Sequence, residues 1–554
     1  MAEGFEGTNR GTNSPEPRWI APALRVKKGV DPLGFQTLTQ DRLTPLLLPG
    51  VLELSQRARY FSFHAFLLDE YRSRRLPANQ RALSDFIRMR EWELGIAIQR
   101  CPRHCGSSPV GQRRLGRLGM SAGPYPRGLS VESDLGGYGL YYRSPLESFG
   151  IIAKAGTMLG DTPIKIDVIR PDSERAARLA STFREAVQDT EYYRRWMLIG
   201  EEIPTEVIDE YASVACLCGL RDRPEERQAV FDAMFAAESS QLPEPQAASD
   251  AQDSAWGVTQ RRRSFAHYLT LVSADPDVTR NASAYRNLMW DSPAPLSPDH
   301  ALVADEWAGL IAKDVWQDAV CAVWADFCAR GLERTRHLGR GLAWDELRGL
   351  VRDGFGMAPL DNPDAHTDDV TRRLASGEIT LPSAAGEQRR VEDLTMEELR
   401  SDAVGLNTTS AGVLAMLELA RRANTRTSAG WNLTAGVRSA WQPSLRDFLD
   451  GLSAHLESQP SIAETAWWVV VKYVLPIHER IAYSKMPDFT FRFRWEDGLL
   501  RFYDNGAERF PLAAIRSAPL AYLSHDLMFW DEYGDAREPT VTDIGNRFVA
   551  EVFR

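Results

Sequence analysis

Apolar residues recur at three- and four-residue intervals through most of the chain, the spacing that lines one face of an α-helix. In residues 31–75 a stretch rich in Gly and Pro, DPLGFQTLTQDRLTPLLLPG, runs into the aromatic segment RARYFSFHAFLLDEYRSRR. There Leu54, Ala58, Phe61, Ala65 and Leu68 share one such face, with Pro45 and Pro49–Gly50 marking its entry. The same periodicity predicts helices at 80–100, at SERAARLASTFREAV and at TEVIDEYASVACLCGL. It continues through 258–355, where Trp307, Trp316 and Trp324 stand among apolar neighbours, and from Met396 to about Met486.

Breaks in this pattern divide the chain. Residues 1–17 lack periodicity and read as a flexible tail. Residues 101–145 are rich in Gly, Pro, Arg and Tyr and read as a long structured insertion, 238–257 has the composition of a linker, and 356–393 is a second polar break. Near the end, TFRFRWEDGLLRFYDNG alternates Phe491, Phe493 and Trp495 with Arg492 and Arg494, then turns at Asp497–Gly498, which predicts a β-hairpin. With LAYLSHDLMFW and EPTVTDIGNRF after it, this resembles the second half of a winged helix-turn-helix. The expected fold is therefore mainly α and multi-helical, with a small C-terminal α+β winged-helix-like unit. The expected domains are 18–237 with the Gly/Arg-rich insertion at about 101–145, then 258–486 and 487–554.

With 554 residues, 44% of them apolar, the chain can bury several cores. Its apolar runs fall short of the roughly 18 to 20 residues that cross a bilayer, and its N-terminus lacks the apolar stretch of a signal peptide, so a cytoplasmic protein with no membrane partner is expected. The net charge of −11 is uneven: residues 1–150 hold 21 Lys/Arg against 14 Asp/Glu, a balance of +7, leaving −18 for the remainder. The N-terminal part is the better candidate for meeting phosphate.

Several chemistries lack their motifs. None of the seven lysines is followed by Ser or Thr, so there is no Walker A loop, and none stands two residues after Asp or Glu as in a nuclease half-motif; HExxH and GxSxG are also missing. Six cysteines, Cys101, Cys105, Cys216, Cys218, Cys321 and Cys328, read as reduced thiols rather than a disulfide framework. Cys101-Pro-Arg-His104-Cys105 offers three zinc-type ligands, but a structural site needs four and the nearest other thiols lie over a hundred residues away; no metal and no cofactor is expected. Asp361, Asp364, His366, Asp368 and Asp369 read as a solvated loop, His525–Asp526 as core-adjacent, and His478-Glu479-Arg480 as a satisfied polar contact. Gly136-Gly137-Tyr138-Gly139, followed by Tyr141 and Tyr142, could cradle a phosphate, but a turn with packed tyrosines is the preferred reading.

Arginine forks bind phosphate bidentately, which singles out Arg57 and Arg59, then Arg113, Arg114 and Arg117, as candidate nucleic-acid contacts. The run Arg261, Arg262 and Arg263 is a weaker candidate. Salt bridging to the abundant carboxylates is the alternative for each group.

Asp31-Pro32-Leu33-Gly34, Leu48-Pro49-Gly50 and Arg57-Ala58-Arg59-Tyr60 together resemble an uncharacterised bacterial family associated with multi-gene anti-phage defence loci. The match covers under a tenth of the chain. It implies a non-enzymatic helical subunit of a defence complex, binding other protein subunits, an ATPase or nuclease among them, and DNA as a further partner. The alternative is a metal-dependent nuclease or hydrolase with a site assembled from dispersed Asp, Glu and His.

Overall fold

The structure is a computed structural model that describes residues 25–26, 31–116, 124–159, 162–236, 255–355, 359–382, 387–403, 408–505, 512–533 and 537–554. The predicted tail 1–17 and nearly all of the linker 238–257 lie outside the described residues.

The chain is mainly α-helical, as the periodicity predicts. Its amino-terminal half is built on α1 (Arg59–Ser73), α2 (Gln80–Gln99), α3 (Glu174–Val187), α4 (Thr205–Ala215) and α5 (Pro224–Phe235). Both α2 and α3 begin at side-chain caps, Asn79 accepting from the Ala82 amide and Ser173 from the Ala176 amide. The predicted apolar face of α1 is present, with Ala58, Phe61, Ala65 and Leu68 buried, but Leu54 lies before the helix and is exposed. Arg59, Ser62, His64 and Glu70 are buried as well, so α1 is enclosed on nearly every side instead of burying one stripe.

The next helix, α6 (Ala255–Ala274), leads to α7 (Pro298–Leu338), a 41-residue helix that spans about 60 Å at 1.5 Å per residue. Ser297 caps its start ahead of Pro298, and Gly339 ends it at φ +68°. Trp307, Trp316 and Trp324 are fully buried along it, and apolar residues face all sides, the mark of a helix through the centre of a core. Packed against or beyond it come α8 (Trp344–Asp353), α9 (Thr409–Ala423), α10 (Ala429–Ala435), α11 (Leu445–Leu456), α12 (Ile462–Val469) and α13 (Leu475–Ser484). The polar break at 356–393 is more ordered than its composition suggests: it contains a helix, Thr367–Ala375, and a short hairpin pairing Thr380–Pro382 with Gln388–Arg390.

At the carboxyl end β1 (Phe493–Glu496) and β2 (Leu499–Phe502) form the predicted hairpin. Asp497 and Gly498 both have positive φ, +50° and +78°, as a two-residue primed turn requires. Then follow α14 (Ser517–Asp526), the hairpin of β3 (Trp530–Tyr533) and β4 (Glu538–Val541), and α15 (Asp543–Val552). The two hairpins are separate two-stranded sheets. The first packs Phe493 on Trp324 and Phe502 on Phe327 of α7, while α15 packs on α6. This arrangement does not confirm a winged-helix unit. One continuous set of buried apolar residues runs from Leu33 to Phe553.

The turns at Asp31–Gly34 and Leu48–Gly50 act as joints. Asp31 accepts hydrogen bonds from the Gln36 and Thr37 amides, Leu33 O accepts from Gln442 Nε2, and Gly34 holds φ +76° where a Cβ would lie 2.6 Å from Trp441 Cβ. Pro49 O accepts from Arg261 Nη1 at 2.7 Å. These contacts fix the amino-terminal turns against α6 and the loop that precedes α11.

Candidate functional site

Arg57 sends a bidentate fork to Asp526, with Nε 3.0 Å from Oδ2 and Nη2 2.9 Å from Oδ1. Arg59 is fully buried and grips Glu226 in the same way, at 3.0 and 2.9 Å, under the Phe183 ring. Both were candidate nucleic-acid contacts; instead, carboxylates of the fold occupy their forks, because a guanidinium taken out of water must be paired. Arg113 is exposed on a short helical turn, Arg114 lies 3.7 Å from Glu132, and Arg117 lies outside the described residues. In the third run Arg261 is buried on backbone carbonyls, Arg262 pairs with Glu551, and Arg263 with Asp299.

The glycine cluster holds a carboxylate of the protein itself. The Gly137 and Tyr138 amides donate to Glu91 at 2.9 and 2.6 Å, and Ser130 Oγ donates to the same group. Burial nevertheless dominates and pushes the Glu91 carboxyl up to about 7. Tyr138 and Tyr142 are buried around His64, as the packed-tyrosine reading expects. The acidic run does not converge: Asp364 pairs with Arg352, Asp369 with Arg372, and His366 meets Gln459 O. Asp526 serves Arg57, and His525 lies 2.9 Å from Arg221. His478 is buried between Pro32 O at 3.4 Å and the Arg492 amide, which donates to Nε2 at 3.0 Å, a satisfied contact as expected.

Two further features emerge only in three dimensions. At the end of α2 the chain turns through Cys101 and Cys105, and after α4 it passes Cys216 and Cys218. The four Sγ atoms all lie within 4.8 Å of one another, with Cys101···Cys218 at 3.7 Å and Cys105···Cys216 at 3.5 Å. This is the one group of three or more such ligands among the described residues. Contact with Cys216, with the other two thiols and Arg103 beside it, holds the Cys218 thiol below its ordinary range, while the same contact and burial push Cys216 up. His104, at φ +48°, is exposed and outside the group. The legible signal was the two close pairs, Cys-x3-Cys and Cys-x-Cys. Their meeting across more than a hundred residues was not.

The second feature is an open cavity of about 500 Å³ between α8, α11 and α12, lined by Trp344, Arg348, His455, Trp467, Trp468 and Lys472. Trp344 is 47% exposed, meets Trp467 edge-on at 5.0 Å and stacks on Trp495 at 6.0 Å. His455 stacks on Trp468 at 5.1 Å, and Lys472 Nζ lies 5.7 Å from the Trp468 ring. Ser461 caps α12 by accepting from the Glu464 amide, and the Glu464 carboxylate, the one carboxylate among the lining residues, accepts from the Ser461 amide and lies 3.4 Å from Arg348.

No protein-family model matches the chain, and neither curated proteins nor solved structures yield a match.

Proposed function

We propose that this chain is a non-enzymatic, mainly helical subunit that holds a protein partner in the tryptophan cavity. The observation that carries this reading is the half-exposed Trp344, kept in place by Trp467 and Trp495 at the mouth of that cavity. An aromatic surface held rigid at the edge of a concavity is the usual anchor of a protein interface. Lys472 beside it suits a partner segment that presents an apolar or proline side chain next to a carboxylate.

The arginines give less support to a DNA-binding role, since Arg57 and Arg59 neutralise carboxylates of this chain and not phosphates. The resemblance of the 31–60 block supports an anti-phage defence assembly as the setting, with products of adjacent genes as partners. Co-expression of the chain with each adjacent gene product, followed by size-exclusion chromatography, tests the reading. A stable complex that Trp344→Ala and Lys472→Glu each disrupt is expected. A complex indifferent to both substitutions, or metal-dependent cleavage of plasmid or nucleotide by the purified chain, would overturn it.

A further inference from the structure

We propose that Cys101, Cys105, Cys216 and Cys218 bind one Zn²⁺ as a closed, structural tetrathiolate centre. Tetrahedral zinc with bonds of about 2.3 Å to sulfur sets its ligand atoms about 3.8 Å apart. The separations of 3.7 and 3.5 Å, with every pair inside 4.8 Å, match that tetrahedron. They are far longer than a disulfide bond of about 2.05 Å. They are also too short for an iron–sulfur cluster, whose bridging sulfides and several irons must fit between the thiolates.

The four sulfurs come from two turns built to present them. The His104 amide donates to Cys101 O at 3.0 Å, closing the first, and the Gly219 amide donates to Cys216 O at 2.9 Å, closing the second. Arg59, itself fixed by Glu226, also donates to Cys216 O, which ties the second turn to α1. On binding, Zn²⁺ displaces the thiol protons to solvent and forms four Zn–S bonds, with no change in oxidation state. All four positions are then filled by protein, so the ion has no open position for a substrate and works as a clamp between the end of α2 and the turn after α4. This goes beyond the partner-binding reading and does not depend on it, because the cavity lies between α8, α11 and α12.

The test uses the full-length chain purified under reducing conditions. Elemental analysis is expected to give about one zinc per chain, falling below about a tenth in Cys216→Ser/Cys218→Ser and unchanged in His104→Ala. Because the double variant removes buried groups and its fold could fail, the wild-type chain is also stripped by chelator and titrated with Co²⁺. The visible bands and thiolate-to-cobalt charge transfer of a tetrahedral S4 site are expected at one equivalent. Failure of Co²⁺ to bind, iron in place of zinc, or non-reducing peptide maps showing Cys101–Cys218 and Cys105–Cys216 disulfides would each overturn the proposal.

Discussion

Arg57 and Asp526 stand 469 residues apart and form one bidentate ion pair, to which the Ala58 amide adds a third hydrogen bond at 2.9 Å. Asp526 is 3% exposed, so the pair locks the start of α1 to the end of α14 away from water. Removing one partner strands the other charge. Asp526→Ala is expected to cost about 3–5 kcal/mol by urea unfolding, and Arg57→Ala/Asp526→Ala less than the sum of the single changes. Additive single effects would show that the two side chains do not communicate.

Arg59 gives a sharper contrast with a nucleic-acid role. Arg59→Ala is expected to lower stability by about 3–5 kcal/mol through the orphaned Glu226, whereas Arg113→Ala on an exposed turn changes it by less than about 0.5 kcal/mol. Thermal unfolding of the two variants checks this. Equal melting temperatures would contradict the buried pairing of Arg59.

Acid should act chiefly through buried histidines. Burial lowers His64, His267 and His478 from 6.5 to about 3, and it raises Glu91 and Glu306 from 4.5 to about 7. The unfolded chain takes up the histidine protons first, so their contribution is full above pH 6.5 and is lost as pH falls towards about 3. The two glutamates work the other way: the folded state keeps protons that the unfolded chain has released, so stability falls as pH rises from 4.5 to about 7. Between 4.5 and 6.5 these trends oppose each other. Below that window the histidines act alone among these five groups, joined by the depressed carboxyls of Asp167 and Asp314. Three histidines outweigh two glutamates, so urea midpoints measured across pH are expected to fall gently from 7 to about 4.5 and steeply below; an undiminished midpoint at pH 3 would refute this.

Trp344 should separate binding from folding. With 47% of its surface in solvent, Trp344→Ala is expected to shift stability by less than about 1 kcal/mol while weakening the protein complex by about 2 kcal/mol, roughly thirtyfold. Calorimetric titration alongside thermal unfolding distinguishes the two effects. Loss of both together would make the tryptophan a packing residue only.

The helical pattern was legible because local spacing determines which face is apolar, and the Asp497–Gly498 turn because two consecutive positive φ angles suit that dipeptide. The partners of Arg57 and Arg59 were not, since nothing near an arginine in sequence tells whether a carboxylate 469 or 167 residues away will meet it. The same holds for the thiols: Cys101 and Cys105 supply two of four ligands until folding delivers the other pair. At Gly136–Gly137 the packed tyrosines were legible, but not that the Gly137 and Tyr138 amides would hold Glu91 from within the chain.

The 41-residue helix α7 has a consequence for biosynthesis. It leaves the ribosome before Phe448, His478 and Phe493, whose rings pack on Trp316 and Trp324, have been translated, so these tryptophans face water or a chaperone during that interval. Nascent chains arrested between residues 340 and 400 would therefore be the aggregation-prone stage of synthesis, and expression at slower growth should raise the yield of the finished protein.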